Sequence, residues 1–310
     1  MGAAIQVAPL RDASILPALG YRREAGVTRA APSSPSGPFM KTPPPACEIR
    51  PFPRSRRLVT DACEWGRRKH MIHALVEMDV TRPRQSIREH KARTGETRSF
   101  TAFIASALGK AVAEDRLCHA YRQRGKLLLF DDVDIATLVE HDVEGHKLAT
   151  MYVIRAADKK TFRQIHDEIR TAQQQAVEST PGASTWKLYL RLPGFLRRLL
   201  YWWMDRSPET RRRLGGTVTL SAIGMAGKGT GWGIPIATST LGVTLGGIET
   251  KPGIVEGRIE PREFLCVTVS FDHDVVDGVP AARFVTRFRE IVEAASGLES
   301  VPSTVQDGRS

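Results

Sequence analysis

The run LCVTVS, residues 265–270, is apolar and β-branched along almost its whole length. Such a run is typical of a central strand that is buried on both faces of a sheet. A turn with the sequence FDHDVVDGVP follows it, and an amphipathic helix, PAARFVTRFREIVEAA, then starts with Pro280 in a first-turn position. Helices must therefore cover the sheet to which this strand belongs.

Other runs with strand or helix character fill the chain from residue 46 onward. The strand-like runs are HMIHALVEMDV, KLLLFDDVDIATLVE, KLATMYVIR, GTVTLSAIG, GIPIATSTLGVTLGGI and GIVEGRIE. Helical spacing appears in RSRRLVTDACEWGRR, in a stretch from Phe100 to Val112 that Ser99 caps, and in DKKTFRQIHDEIRTAQQQAVE before Pro181. These elements predict an α+β fold, an α/β sandwich in which helices cover a mixed β-sheet.

Composition separates the two ends of the chain from this domain. Residues 1–45 are rich in Ala, Pro, Ser and Gly without a sustained period, which predicts a disordered extension. The folded domain is expected over residues 46–298 and a flexible tail over residues 299–310. The absence of a signal-peptide pattern and four scattered cysteines without paired spacing predict a reducing, cytoplasmic location.

The chain has a formal net charge of +11, and its basic residues are most concentrated in one segment. The segment from Lys187 to Arg213 contains eight basic residues and only two acidic ones, Asp205 and Glu209. No zinc-finger or RNP-type signature accompanies them, which argues against nucleic-acid binding and favours solvated charge or attraction to an anionic small molecule. Residues 186–204 place apolar side chains on one helical face, which predicts either core or subunit packing or a basic amphipathic helix at a membrane surface.

Two other patterns carry weaker signals. The segment GMAGKGTGWG has neither P-loop nor dinucleotide spacing, so we interpret it as a flexible loop beside Ser221, with Lys228 near an anionic ligand. His70 and His73 have no further ligand nearby in the sequence, and we therefore predict no metal site.

His273 lies where the buried strand leaves the core, a position that favours a shaped and partly dry pocket. Asp277 and Gly278 follow at a turn, where glycine permits a close backbone approach. A histidine titrates near neutral pH and can take a proton from a thiol. The residues alone leave two interpretations open, a catalytic base or a strand-end histidine satisfied by local hydrogen bonds.

The segment SFDHDVVDGVPAARFV resembles the HxxxDG signature of the dihydrolipoyl acyltransferases of 2-oxoacid dehydrogenase complexes. The catalytic domain of that family shares the chloramphenicol acetyltransferase fold. GGTVTLSAIGM resembles a glycine–threonine strand and turn of the same domain, and RSRRLVTDACEWG resembles its opening helix more loosely. The resemblance covers roughly residues 46–297 and implies a coenzyme A-dependent acyltransferase.

The resemblance also implies roles for individual residues. His273 would be the general base toward the thiol of coenzyme A, or of dihydrolipoamide in the reverse direction. Ser221 would donate a hydrogen bond to the tetrahedral oxyanion, and Asp277 would be a largely structural acid paired with Arg56 or Arg57. In this family the histidine and the serine of one site come from different chains, so a homotrimer or a multiple of three is expected.

The usual members of the family also carry a lipoyl domain and a small subunit-binding domain. Residues 1–45 are too short for a lipoyl domain and lack a lipoylation-type lysine turn, so we expect no covalently bound lipoyl group on this chain. The first hypothesis is a free-standing acyltransferase that uses a trans-acting lipoyl group or another acyl carrier. The alternatives are a non-catalytic trimeric scaffold and a membrane-surface acyltransferase with a lipid-linked acceptor.

Overall fold

A computed structural model describes residues 50–53, 56–143, 146–174, 191–222, 229–236 and 238–298. In chain order the elements are α1 (Arg56–Gly66), β1 (Met71–Asp79), α2 (Thr81–Thr94), α3 (Phe100–Glu114), β2 (Tyr121–Gln123), β3 (Lys126–Leu128), β4 (Ile135–Val143), β5 (His146–Ile154), α4 (Phe162–Gln174), α5 (Gly194–Arg206), α6 (Pro208–Gly215), β6 (Val218–Ala222), β7 (Leu241–Val255), β8 (Arg258–Asp272) and α7 (Gly278–Glu293). Within these ranges, no helix has both the length and the apolar character needed to cross a bilayer.

Six strands form one mixed sheet in the order β1-β8-β7-β6-β4-β5, and β2 and β3 form a separate hairpin. β6 runs parallel to both β4 and β7, whereas the remaining pairs in the large sheet are antiparallel. α3 packs between α4 and α7, and α7 also contacts β1. The predicted α+β arrangement is thus confirmed, with helices on a mixed sheet.

The hydrophobic core lies between these helices and one face of the sheet. Alternate residues of the central strands point into it, because side chains on a strand alternate between its two faces. The buried side chains include Leu220, Val243, Val267, Val269, Phe271, Phe103, Leu108, Phe284 and Phe288. α3 starts as the sequence predicts, since the Ser99 hydroxyl accepts a hydrogen bond from the backbone N–H of Ala102 at 3.2 Å.

Several elements differ from the sequence predictions. KLLLFDDVDIATLVE is not one strand, because β3 ends at Leu128 and β4 begins at Ile135. GIVEGRIE is not a separate strand either: it forms the turn and flanks of the long β7–β8 hairpin. α2 and α6 were not predicted, since both are strongly polar and give little helical periodicity. The predicted extension 1–45, the tail 299–310 and Lys228 lie outside the described residues.

The basic segment before β6 is less solvated than its composition predicts. Arg212 pairs with the buried carboxylate of Asp134 at 2.8 Å and with Asp132 at 3.1 Å, and Arg155 also pairs with Asp134 at 2.9 Å. Burial raises the pKa of Asp134, but hydrogen bonds led by that of Arg212 leave it below its ordinary value. The interpretation as free surface charge is wrong for Arg212, which ties α6 to the sheet.

A glycine fixes the chain between α6 and β6. Gly216 has a φ of 63°, in the left-handed region, and a β carbon there would lie 2.6 Å from the carbonyl oxygen of Asp134. That same carbonyl accepts hydrogen bonds from the backbone N–H groups of Thr217 and Val218. A residue with a side chain would therefore strain the backbone and push β6 away from β4.

The buried imidazole of His119 predicts acid sensitivity. Desolvation lowers its pKa to about 4, whereas an unfolded histidine titrates near pH 6.5. Between about pH 6.5 and pH 4, His119 is therefore protonated in the unfolded chain but neutral in the folded chain. We expect the free energy of unfolding to fall by about 2–3 kcal/mol between pH 7 and pH 4.5 from this group alone.

Urea unfolding at the two pH values tests this expectation. In His119→Asn the titrating group is absent. The free energy of unfolding of this variant should therefore fall by about 2–3 kcal/mol less than that of the wild-type protein between pH 7 and pH 4.5. An equal loss in the wild-type protein and the variant would contradict the assignment.

Candidate active site

The structure places His273 directly after the last residue of β8, at the sheet edge where β6 and β7 begin. Its backbone N–H donates to the carbonyl oxygen of His70 at 2.8 Å, and the preceding Asp272 N–H donates to Thr240 at 2.9 Å. Its side chain is 45% exposed. The backbone is therefore held from both sides while the imidazole remains accessible to a reactant.

A buried ion pair anchors the strand end beside this histidine. Lys69 Nζ lies 2.5 Å from Asp272 Oδ2, and their side chains are only 14% and 6% exposed. Such a pair is sensitive to the loss of either partner, because the remaining charge would stay buried without compensation. No sequence pattern indicated this pair, since the two residues stand 203 positions apart.

Asp277 does not adopt the environment that the resemblance implied. Its side chain is 84% exposed, and its carboxylate faces His273 Nδ1 at 3.6 Å. The expected buried ion pair with Arg56 or Arg57 is therefore not formed in the single chain. The reason is local: Asp277 is the residue before α7, where its backbone is extended and its side chain points to solvent.

The side chains of the two histidines of HMIH contact β8 and the turn that follows it. His70 Nδ1 lies 2.9 Å from Asp274, which Arg122 also contacts at 2.5 Å, and His73 Nδ1 lies 2.8 Å from the hydroxyl of Ser270. The hydrogen bond from His70, with a smaller contribution from Arg122, holds the pKa of Asp274 below its ordinary value. Among the described residues, no group of three or more His, Cys, Asp or Glu side chains could hold a metal ion.

Ser221 lies on β6, on the face of the sheet opposite the helices. Its neighbours in the chain, Leu220 and the earlier Val218, point into the core, and Ser221 is half-buried on the other side. Across the sheet Ser221 pairs with Thr244, which in turn pairs with Thr268. This face therefore carries small hydroxyl side chains where the core face carries apolar ones.

One chain does not bring Ser221 and His273 together. Ser221 is level with Thr268, which is five residues before His273 and two strands away. With strands about 4.8 Å apart and a rise of about 3.3 Å per residue, the two residues are separated by about 19 Å. A single reacting group could contact both side chains only if they came from different chains.

The segment that follows Ser221 is partly described, and its second half packs on β7. Gly231 O accepts a hydrogen bond from Gly247 N at 3.2 Å, beside the bulge that follows Leu245. A β carbon on Gly247 would overlap the carbonyl oxygen of Gly229. The glycines predicted as a flexible loop thus make a close backbone contact over residues 229–231.

A cavity of about 150 Å³ lies at the same edge of the sheet as His273. Ser239 lines it, and the Ser239 hydroxyl contacts that of Thr219 on β6 at 2.7 Å, on the same face of the sheet as Ser221. The sequence did not indicate this cavity. It is lined by Ala62, Trp65, Tyr121, Met151, Tyr201, Met204, Arg211, Leu214, Gly215, Gly216, Thr238 and Ser239.

Comparison with known proteins identifies relatives of this arrangement. Residues 207–299 match the family described as 2-oxoacid dehydrogenases acyltransferase (catalytic domain). A lipoamide acyltransferase component of the branched-chain alpha-keto acid dehydrogenase complex of Bacillus subtilis is 24% identical over 232 residues. This alignment covers 73% of the present chain and 47% of the relative, so the chain spans less than half of that protein's length.

Solved structures confirm the fold. The cubic core of a pyruvate dehydrogenase multienzyme complex has a TM-score of 0.60 at 18% identity, over 86% of this chain and 99% of that one. A dihydrolipoamide acetyltransferase from Azotobacter vinelandii has a TM-score of 0.61 at 18% identity, over 84% and 99% of the two chains. The latter structure was solved to study a serine, a histidine and an asparagine in the catalytic mechanism of that enzyme. The resemblance that the sequence indicated is therefore confirmed for the fold, and the family model supports it over residues 207–299.

Proposed function

We propose that this chain, whose residues 207–299 match the 2-oxoacid dehydrogenase acyltransferase family, is itself a coenzyme A-dependent acyltransferase. One observation carries the proposal. In the Azotobacter vinelandii enzyme the serine and the histidine stand 52 positions apart, as Ser221 and His273 do here. The asparagine of that enzyme follows its histidine by four positions, which is the place of Asp277. The spacing supports the same functional roles for Ser221 and His273.

In the proposed reaction, His273 takes the proton from a thiol. The thiolate forms a C–S bond to the acyl carbon of a thioester, and the carbonyl electrons move to oxygen. Ser221 of a neighbouring copy donates a hydrogen bond to that oxyanion, where charge develops in the transition state. When the tetrahedral intermediate collapses, the original C–S bond breaks and His273 returns its proton to the departing thiolate.

The separation of Ser221 and His273 within one chain supports an assembly in which neighbouring copies share each site, and we propose three copies or a multiple of three. A cyclic arrangement joins the His273 edge of one copy to the Ser221 face of the next. Coenzyme A and a trans-acting lipoyl group, or another acyl carrier, are the proposed thiols. The three described cysteines, Cys63, Cys118 and Cys266, are free, which supports the proposed cytoplasmic location.

Acyl exchange between acetyl-coenzyme A and dihydrolipoamide tests the function, with acetyl-coenzyme A and the released coenzyme A separated and measured by chromatography. The expected result is enzyme-dependent, saturable release. If no thioester and no thiol acceptor reacts, the non-catalytic trimeric scaffold takes the place of this proposal.

A second candidate, association of the enzyme with a membrane surface, is favoured by the outward face of α5. Arg197 and Tyr201 turn inward: Arg197 pairs with Asp61 at 2.8 Å, and the rings of Tyr201 and Trp65 are 6.0 Å apart. The opposite face exposes five large apolar side chains, which core packing does not cover in the single chain. These are Phe195 (68% exposed), Leu196 (37%), Leu199 (57%), Trp202 (43%) and Trp203 (59%).

Arginines accompany this apolar face and favour an anionic lipid surface over a second copy of the same face. Arg198 is 70% exposed although it pairs with Glu64 at 3.4 Å, and the guanidinium of Arg206 stacks 3.6 Å from the ring centroid of Trp202. Two identical faces would bring like charges together, whereas anionic headgroups would pair with them.

Sedimentation with lipid vesicles tests this candidate. We expect binding to vesicles that contain phosphatidylglycerol, weaker binding to phosphatidylcholine alone, and at least a tenfold loss in Phe195→Ser/Leu199→Ser/Trp203→Ser. A matched control is Ile254→Ser/Ile259→Ser at the tip of the β7–β8 hairpin, where both side chains are also exposed. Equal losses in the two variants, or a change of oligomeric state in the α5 variant, would contradict membrane binding.

A further inference from the structure

The cavity at the His273 edge is the strongest feature that the proposed reaction leaves unused. β7 and β8 pair antiparallel up to Leu241 and Phe271, and Asp272 N–H donates to Thr240. Beyond Thr240 the chain turns away from β8: the Ser239 hydroxyl contacts the hydroxyl of Thr219 on β6 at 2.7 Å and donates to the carbonyl oxygen of Leu241 at 2.7 Å. Thr219 lies two residues before Ser221 on the same face of β6, so a group held against Ser239 lies near the proposed oxyanion donor.

A second connection joins the cavity to the turn that carries His273. Tyr121 forms part of the cavity wall, and the next residue, Arg122, contacts the carboxylate of Asp274 at 2.5 Å. Asp274 directly follows His273. The cavity thus adjoins the Ser221 face of β6 through Ser239 and the His273 turn through β2, and neither connection depends on residues outside the described ranges.

The walls of the cavity are mainly apolar. The rings of Trp65 and Tyr201 and the side chains of Ala62 and Met204 form one side, between α1 and α5. Burial raises the pKa of Tyr201 above its ordinary value, as expected for a phenol in a dry environment. A ligand without charge suits these walls, because an ionised group would lose its hydration there.

The polar groups of the opposite wall are already engaged. The Tyr121 hydroxyl donates to the carbonyl oxygen of Gly216. Arg211 stacks 3.9 Å from the ring centroid of Tyr121 and donates to the carbonyl oxygen of Thr238 at 3.1 Å. Arg211 is the cation among the described lining residues, and its contacts hold it against the wall. The cavity therefore offers ring faces and methyl groups to a ligand.

We propose that this cavity binds the acyl chain of the thioester substrate and that it selects an uncharged, apolar acyl group of about six carbons. An apolar cavity of about 150 Å³ holds a molecule the size of benzene. An acyl group that fits it is therefore about as large as a hexanoyl chain or a benzoyl ring. The inference rests on the proposed acyltransferase function and names its substrate class. A carboxylated acyl group such as succinyl is disfavoured, because its charge would be buried.

Acyl transfer to dihydrolipoamide from acetyl-, hexanoyl-, benzoyl- and succinyl-coenzyme A tests the proposal. We expect kcat/KM for the hexanoyl or benzoyl thioester to exceed that for acetyl by at least tenfold, with succinyl the poorest substrate. In Ala62→Phe, which fills the cavity, the hexanoyl and benzoyl values should fall at least tenfold while the acetyl value stays within about threefold. Leu199→Ala, on the outward face of the same helix pair, is the matched control and should leave the order unchanged.

A binding measurement keeps the test independent of turnover. In a His273→Ala background, calorimetry should show hexanoyl-coenzyme A binding at least tenfold more tightly than acetyl-coenzyme A, and Met204→Ala should shift the preference toward octanoyl. Acetyl transfer without any preference for larger apolar chains, or equal losses for all thioesters in a folded Ala62→Phe protein, would overturn the acyl-chain assignment alone. An absence of transfer from every thioester would instead overturn the proposed function.

Discussion

Replacing His273 with alanine is expected to lower kcat for acyl transfer by about 10²–10⁴-fold, because the attacking thiol loses its general base. The imidazole is 45% exposed, and the backbone N–H of residue 273 keeps its bond to His70 in the variant. The fold and the assembly should therefore survive the substitution. Steady-state thioester kinetics, a melting curve and light scattering measure the three quantities.

His70→Gln is the matched control for this prediction. The His70 side chain is 78% exposed and contacts Asp274, next to His273, but the bond that holds His273 comes from the His70 backbone. We expect turnover within about threefold of the wild-type value in this variant. Wild-type turnover in a folded His273→Ala protein would refute the catalytic assignment and leave the scaffold hypothesis in its place.

The second large effect is expected from mixtures of two inactive chains. Ser221→Ala should lower kcat by about 10²–10³-fold, since its hydrogen bond strengthens only as the oxyanion forms. If each site combines His273 of one copy with Ser221 of another, unfolding and refolding Ser221→Ala together with His273→Ala should restore activity. Random assembly places both intact residues at about one interface in four, so about a quarter of wild-type turnover is expected.

Controls separate this result from residual activity. Each variant refolded alone should remain inactive, and a double variant carrying both substitutions should not gain activity when it is mixed with either single variant. A mixture that is no more active than its components, despite exchange of subunits demonstrated by a mass-tagged chain, would show that the site does not span two copies.

Local patterns predicted the elements near His273 well. The run before residue 271 and the amphipathic spacing after Pro280 gave β8 and α7, because strand and helix periodicities are properties of adjacent residues. The HxxxDG spacing and the strand around Ser221 indicated the family for the same reason. The helices α2 and α6 were not predicted, because their sequences are strongly polar and show little apolar periodicity. The strands β3 and β4 were predicted as one strand, because the sequence did not indicate that the chain leaves the strand between Leu128 and Ile135.

The environment of individual site residues was less accessible to the sequence. Asp277 matches a family acid by spacing, but its side chain points to solvent at the start of α7. Arg212 belongs to a run of like charges in the sequence, yet it pairs with the buried Asp134. In both cases the decisive neighbours belong to other elements, and spacing along one segment contains no information about them.

The sequence by itself determined the strand, turn and helix that carry His273, the strand that carries Ser221, and the family to which this pattern points. Only the tertiary structure decided that Lys69 neutralises Asp272, that Ser239 contacts Thr219 beside an apolar cavity, and that Ser221 is about 19 Å from His273 in one chain. These relations follow from the strand order β1-β8-β7-β6-β4-β5 and its register. Strand order depends on which apolar faces bury one another across long stretches of chain, and a periodic pattern specifies a face without specifying its partner.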